Sequence, residues 1–361
     1  MRFIIISFIF LSNLCFGQQK TIQELKEVTI TIALDTLTIA NTWEDLNSSA
    51  IQDIQADDAG ELIQKLTSTN IKSYGGLGGL KTVSSRGLGA SHSAIVSDGF
   101  VIQNTQNGQV NLGQIHSDNI VLIRSNSNGQ SQLTLPVSAQ VSGSQFSLET
   151  FENNFSEKGL QYRVLGKQGS FDQIGTYGSI KYTDEKILIS AHGNFRKTDG
   201  AYPYRFENGT QTVEGRRTNN DYKDHSFGFT TGFRGKRSIS RLGYLQKEFK
   251  QGIPGAVILY NSSSDERMES SDKTIFGDHI FKGETTVLRS FFKLNKNLLN
   301  YSDPDYLNQD GGINDDYENR SIQIGFNCIK KTGKQLQFHF GLEHVLSNLE
   351  VSDKNFARPI R

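Results

Sequence analysis

Three groups of residues in this 361-residue chain have types and spacings that could do chemistry. The first is glycine-rich: Ser73 to Thr82 reads SYGGLGGLKT, and Ser84 to Phe100 reads SSRGLGASHSAIVSDGF. A phosphate loop needs Gly-Lys-Ser/Thr in direct succession at the start of a helix. Here Leu80 separates Gly79 from Lys81 and a strand pattern follows, so no such loop is predicted. RGLGASH begins like a dinucleotide fingerprint, but Ser91 and His92 stand where the third glycine is needed. The glycines are read instead as tight turns. The second group is Ser/His/Asp. His92 lies between two serines with Asp98 six residues on, but a triad is assembled in space and sequence proximity does not make one. No G-x-S-x-G elbow occurs, and no two of the seven histidines form an H-x-x-x-H pair. His192 and Ser190 share one strand face, among neighbours that read as lumen lining. The chain is therefore not expected to be an enzyme. The third group is acidic: Asp303, Asp305, Asp310, Asp315, Asp316 and Glu318. Such a run is read first as a solvated loop. No cofactor is expected, with calcium held by oxygen ligands in residues 303–318 as the alternative.

The elements that must position these residues follow from composition and periodicity. Lys+Arg and Asp+Glu are 38 each, a neutral balance that argues against a nucleic-acid partner. Arg2 and the apolar run Phe3–Leu14 read as a signal peptide over residues 1–17, because the run is too short to span a bilayer. Cleavage after Gly17 would leave Cys328 as the one thiol, which cannot form an internal disulfide.

Beyond the leader the chain changes character near residue 142. Of 23 phenylalanines, four lie in the leader, Phe100 alone lies in residues 18–141, and 18 follow. The second half alternates. Ile187, Ile189, Ala191, Gly193 and Phe195 are out of phase with Leu188, Ser190, His192, Asn194 and Arg196. Phe227, Phe229, Thr231 and Phe233 are out of phase with Ser226, Gly228, Thr230 and Gly232. Period two sends the two sets to opposite sheet faces. Long strands with one apolar and one polar face fit a transmembrane barrel, whose outside meets lipid and whose inside meets water. Gly166–Gly169, Asp184–Glu185 and Lys331–Lys334 read as short turns. Thr198–Tyr222, Gly252–Gly283 and Tyr301–Tyr317 read as long loops, expected outside the cell. The first half reads as a small mixed domain: a short helix around Leu62, Ile63 and Leu66 capped by Asp58, then strands at Ile71–Tyr74, Thr82–Ser85, Ser93–Ser97 and Ile120–Arg124.

In that order, ELIQKL, YGGLGGL, Arg86-Gly87-Leu88-Gly89, Asp98-Gly99-Phe100 and IVLIRS ending at Arg124 resemble the plug of TonB-dependent outer-membrane receptors. The barrel half, including GIPGAVILYN, is similar to cobalamin-receptor-like members. The chain departs from the family after Arg124, where Ser125-Asn126 replace Gly-Pro. The resemblance implies an α+β plug domain followed by antiparallel transmembrane β-barrel strands. The expected division is a signal peptide at 1–17, a periplasmic segment at 18–40, the plug at 41–141 and a partial barrel at 142–361. About 220 residues make roughly ten strands, whereas a plugged lumen needs about 22. The expectation is therefore an incomplete 22-strand barrel, a truncated sequence ending at Pro359-Ile360-Arg361 that does not transport alone.

The resemblance also implies roles. Glu27, Val28, Thr29, Ile30 and Thr31 look like the coupling segment that the TonB protein would take up by strand addition. Arg86 would make ion pairs holding the plug in the barrel, and Arg124 would be a further structural residue of the plug. Gly87 and Gly89 would allow close backbone passage. Asp98-Gly99 would form a hairpin turn. Tyr74, Gly75, Gly76, Gln103, Asn104 and Asn107 would contact substrate. The implied function is active import of a scarce large solute, a cobalamin-like compound or an iron chelate, across the cell outer membrane. The partners would be TonB, the small-molecule substrate and outer-membrane lipid. The alternative is an outer-membrane adhesin or surface β-protein without transport.

Overall fold

The structure, a computed structural model, describes residues 43–104, 108–126, 133–153, 155, 158–208, 211–255, 264–306, 311–333 and 336–352. The leader and the coupling segment Glu27–Thr31 lie outside the described residues.

The first body is an α+β sandwich. Its sheet contains β1 (Trp43–Leu46), β4 (Ser93–Ser97), β5 (Phe100–Val101), β6 (Ile120–Asn126) and β7 (Ser144–Thr150), in the order β1-β6-β7-β4-β5. β7 runs parallel to β4 and antiparallel to β6. α1 (Ser48–Ile54) and α2 (Ala59–Ile63) pack their apolar stripes on this sheet. Ala59, Leu62, Ile63, Ile95, Ile123, Phe146 and Leu148 are all buried together. Asp58 caps α2, its Oδ1 accepting from Glu61 N at 3.1 Å, which satisfies one of the free N–H groups at the helix start. β2 (Thr69–Ser73) and β3 (Lys81–Ser85) form a hairpin outside the main sheet. A short helix, α3 (Val137–Gln140), precedes β7. Ser144–Thr150 therefore belongs to the first body, on the far side of the boundary expected at residue 142. Its apolar residues Phe146 and Leu148 face the α1/α2 core, so β7 reads as a barrel strand only until its partners are known.

The second body is a sheet of nine antiparallel strands: β8 (Gly159–Gln168), β9 (Ile174–Thr183), β10 (Ile187–Thr198), β13 (Tyr222–Arg234), β14 (Ser238–Ile253), β15 (Glu266–Lys282), β16 (Thr286–Asp303), β17 (Ile313–Thr332) and β18 (Leu336–Val351). Each pairs with its sequence neighbour in the sheet, and β8 and β18 are its edges. The hairpin of β11 (Tyr202–Asn208) and β12 (Gln211–Arg217) lies within the connection from β10 to β13. One set of connections is short: residues 184–186, 235–237, 283–285 and 333–335. At the other end, 199–221, 254–265 and 304–312 are longer, with 169–173 an intermediate link. Gly252–Gly283, expected as one loop, is mostly strand β15. Charged and polar residues in both phases, such as Glu269, Asp272 and Lys273, hide its period-two pattern.

The two faces differ as the alternation predicts. Tyr162, Ile180, Ile189, Phe229, Ile275, Leu294, Ile324 and Phe340 are exposed on the outer face. Ser190, Arg196, Asp224, Asp278, Arg289 and Asn327 are buried on the inner face. No helix among the described residues is long and apolar enough to cross a membrane. The strands are the only described elements with an apolar face of that kind.

Candidate functional site

The inner face of the strand wall grips the first body at several places. The lower grip, near the short-turn end, centres on the Asp98-Gly99 turn. Asp98 at φ 50° and Gly99 at φ 91° give the left-handed pair a two-residue hairpin turn demands. The Asp98 carboxylate accepts from Thr150 N at 2.8 Å, Thr150 Oγ1 at 2.8 Å and Asn153 Nδ2 at 2.7 Å, tying the turn to the end of β7. The wall then reaches in with cations. Arg241 Nη2 donates to Asp98 O at 3.0 Å, Arg289 Nη2 to Gly99 O at 3.0 Å, and Lys293 Nζ to Val101 O at 2.7 Å. Asp278 lies between the two arginines, at 2.7 Å from Arg241 Nη2 and 3.0 Å from Arg289 Nη2. Phe100 seats beside Phe276, with ring centroids 4.9 Å apart. A Cβ at position 99 would lie 2.9 Å from Arg289 Nη2, and the φ of 91° is what calls for glycine there.

The upper grip is nearer the long-loop end. His116 Nε2 lies 3.1 Å from Asp224 Oδ2. Arg196 Nη2 donates to the same carboxylate at 2.5 Å and Tyr222 Oη at 2.8 Å. Arg196 Nη1 reaches Asp57 O at 2.9 Å, and Gln173 Nε2 reaches Asp57 Oδ2 at 2.7 Å. Burial, with the Arg196 guanidinium, pushes the His116 imidazole down to about 4. Next to this cluster Lys81 donates to Asp58 at 2.6 Å and Glu61 at 2.9 Å. Burial works against its ammonium form, but these two carboxylates hold its pKa above the ordinary lysine value. The third grip is Glu152, fully buried after β7, which accepts from Tyr177 Oη of the wall. Ser138 of α3 adds a bond from its N–H to Glu343 Oε2 at 2.7 Å.

The structure distributes the expected site residues unevenly. Arg124 pairs with Asp45 at 3.1 Å and approaches Glu149 at 3.9 Å, both within the first body. Arg86, expected to hold the plug, is exposed at φ 51° in the turn after β3 and makes no ion pair among the described residues. The β2–β3 hairpin pairs only with itself, which leaves that turn on the surface. Gly87 and Gly89 do not serve close approach either, since a Cβ at each would meet nothing within 4 Å. That role falls to Gly78, Gly79 and Gly113. A Cβ on Gly78 would overlap the Tyr222 ring, and one on Gly113 would overlap the Gly79 carbonyl. The Tyr74–Leu80 loop therefore packs at the Tyr222 end of the wall, with Tyr74 66% exposed and Tyr74 N bonded to Leu80 O at 2.9 Å. Gly75 and Gly76 are exposed in this loop, whereas Gln103 and Asn104 are half-buried. Asn107 lies outside the described residues. Of the acidic run, Asp315, Asp316 and Glu318 are on strand β17 and Asp303 ends β16, so the run is not one loop. Asp310 is outside the described residues, and no group of three potential metal ligands occurs among those described.

Sequence reading did not single out the wall's own grip: Arg196, Asp224, Arg241, Asp278, Arg289 and Lys293. The inward phase also holds Tyr222, Phe249, Phe276 and Phe291, so the charges do not separate cleanly from the aromatics along these strands.

The family model for the TonB-dependent Receptor Plug Domain matches residues 35–133. No curated protein matches the chain in sequence. Among solved structures, the copper transporter OprC is similar at a TM-score of 0.65 and 12% identity, over 86% of this chain and 46% of that one. The FrpB iron transporter from Neisseria meningitidis gives 0.67 and 11%, over 86% and 49%. A mutant of the ferric enterobactin receptor PfeA from Pseudomonas aeruginosa gives 0.59 and 12%, over 86% and 49%. The chain thus spans about half the length of the solved structures it matches. At these identities the likeness is one of fold, and it covers the strand wall as well as the first body. Residues 35–133 thus match the TonB-dependent receptor plug domain, and the fold of the chain as a whole matches about half of each of these solved structures.

Proposed function

We propose that the chain is the plug-bearing part of an outer-membrane receptor that imports a scarce, large solute under TonB control. The observation that carries this reading is the seam itself. A separately cored α+β body is held against the polar face of a strand wall whose other face is apolar, by carbonyl-to-cation and carboxylate contacts rather than by a shared hydrophobic core. Such a seam can be undone and remade without unfolding either partner. A pull on the plug from the periplasmic side would act on it. The segment Glu27–Thr31 would be the handle, added to a TonB sheet edge by main-chain hydrogen bonds. The exposed Tyr74–Leu80 loop, with the longer strand connections, would meet the solute. A metal chelate is the favoured class, because the solved proteins of this fold named above are a copper transporter, an iron transporter and a ferric enterobactin receptor. Deleting residues 26–31 in the native bacterium is the test. Loss of chelate uptake with unchanged surface abundance is expected, and unchanged uptake would instead favour a surface protein that does not transport.

A further inference from the structure

Glu152 is 0% exposed, and its contacts with the wall leave a carboxylate without a counter-charge. The carboxylate lies over four inward side chains of β9 and β10. In the register, Tyr177 stands opposite Asn194 and Ser179 opposite His192. Residues two apart on a strand share a face, so these four form the corners of one square. Glu152 addresses one diagonal: its Oε1 accepts from Tyr177 Oη and lies 3.8 Å from His192 Nδ1. The His192 ring leans toward β13, across Gly228, where a Cβ would come within 2.2 Å of its Cε1. The other diagonal keeps its oxygens. Ser179 and Asn194 are 8% and 6% exposed, yet Ser179 Oγ and Asn194 Oδ1 have no hydrogen-bond partner among the described residues. Neither has Glu152 Oε2. Asn194 Nδ2 is committed to Ser226 Oγ at 3.2 Å, so the oxygen is the end of that amide left over.

The register thus gathers three acceptors from buried residues, and what completes them must donate or be positive. A buried carboxylate is ordinarily held by a counter-charge or a metal. Lys181 is turned elsewhere, its Nζ 3.0 Å from Phe151 O and 3.9 Å from the centroid of the Phe151 ring. The neighbouring acid, Asp98, has both oxygens taken by Thr150 and Asn153. We propose that Glu152 Oε2, Ser179 Oγ and Asn194 Oδ1 bind a sodium ion that clasps the plug to β9 and β10. Hard oxygens suit a hard cation. One carboxylate among neutral oxygens balances one positive charge, whereas calcium draws on about six to eight oxygens, commonly with more than one carboxylate. Clusters of His, Cys, Asp and Glu that would hold a transition metal do not occur among the described residues. A water would satisfy the hydrogen bonds and leave the charge. The plug supplies the charge and the wall supplies the neutral oxygens, so the ion is held only while the two are docked. The clasp goes beyond the import reading and does not depend on what solute is carried.

The test is amide hydrogen exchange of the full chain folded in detergent, in equal concentrations of sodium chloride or choline chloride. The pH is kept above neutral, because a proton competes for the same carboxylate. Choline matches the charge but offers no bare cation to oxygen ligands. Protection of residues 150–153 and 177–194 is expected to be about tenfold higher in sodium, the factor mass action gives with the ion near ten times its dissociation constant. Glu152→Gln removes the charge and sets an amide donor beside Ser179 and Asn194, so its protection is expected to be the same in both salts. Should that variant not fold, Asn194→Ala keeps the carboxylate and is expected to need about tenfold more sodium for the same protection, as for the loss of one polar contact. Equal protection of the wild type in the two salts overturns the proposal and leaves the place to water. An equal sodium effect in the wild type and both variants overturns it as a general salt effect. A gain from calcium chloride without one from sodium chloride overturns the monovalent assignment. All of these are read without solute or TonB, so their failure leaves the import reading standing, and loss of that reading leaves the clasp.

Discussion

Asp278 carries one negative charge between two guanidiniums, and both guanidiniums hand their remaining N–H groups to plug carbonyls. Removing the carboxylate leaves two buried cations facing each other. Breaking a buried pair in this way costs about 3–5 kcal/mol. Asp278→Ala is therefore expected to free the Asp98-Gly99 turn before it unfolds the wall. Faster amide exchange at residues 93–101, with β16 and β17 still protected, is the measurement. Exchange that rises equally in plug and wall would mean that Asp278 is a general stabiliser and not part of a seam. The glycines make a second residue-level prediction. Gly78→Ala and Gly113→Ala push a methyl into the Tyr222 ring and the Gly79 carbonyl, whereas Gly89→Ala, at φ −63° and facing open space, meets neither strain nor contact. Overpacking of this kind costs about 1–3 kcal/mol. Thermal unfolding should fall for the first two variants and stay level for the third.

At the scale of the strand, one alternation serves two solvents. In β17, Ile322, Ile324 and Phe326 are exposed while Gln323, Gly325 and Asn327 are buried. The side that looks wrong for water is the side turned outward. A charge there should be penalised according to depth, by about 2–4 kcal/mol near the midplane and little near the interface. Ile324→Lys is expected to lower stability in lipid vesicles by that amount, and Asn300→Lys, beyond the apolar rungs, to leave it nearly unchanged. Urea titration of vesicle-folded protein decides between this and an aqueous sheet, in which Ile324→Lys would be neutral. The same alternation made β10 and β13 legible from sequence, because apolar residues hold one phase through most of each strand. It failed for β15, where Glu269, Ser271 and Lys273 hold the outer phase above the apolar rungs and the pattern dissolves into what looks like a loop. β7 was not read as a plug strand, and residues from 142 on were assigned to the barrel, because its partner β4 is some fifty residues away and parallel. Of the site, the Asp98-Gly99 turn could be read directly, since its two residues need no partner to declare a left-handed turn. The exposure of Arg86 could not, because it depends on the β2–β3 hairpin standing apart from the main sheet.

Across the whole molecule, the upper grip couples plug docking to pH. His116 is 5% exposed and is faced by Asp224 and Arg196 of the wall, with Lys247 also contributing its charge. Burial and the two cations depress its pKa from 6.5 to about 4. The sign follows from proton counting. Between about pH 4 and 6.5 the undocked or unfolded chain binds a proton that the docked plug does not, so stability rises with pH across that window and is fully present above it. As pH falls below 6.5, the seam loses up to about 3 kcal/mol, at 1.36 kcal/mol for each pH unit crossed. Glu152 acts in the opposite sense, since burial raises its carboxyl pKa and protonation favours the docked form. The slope of the wild type alone is therefore a sum, and the difference from His116→Gln isolates the imidazole. Measured at pH 7.5 and 5.0, the wild type should lose more plug protection than His116→Gln, with the extra loss concentrated at residues 56–60 and 115–118 where the grip is made. An identical pH response in the two proteins would show that His116 is solvated in solution, and would detach the upper grip from any role in holding the plug.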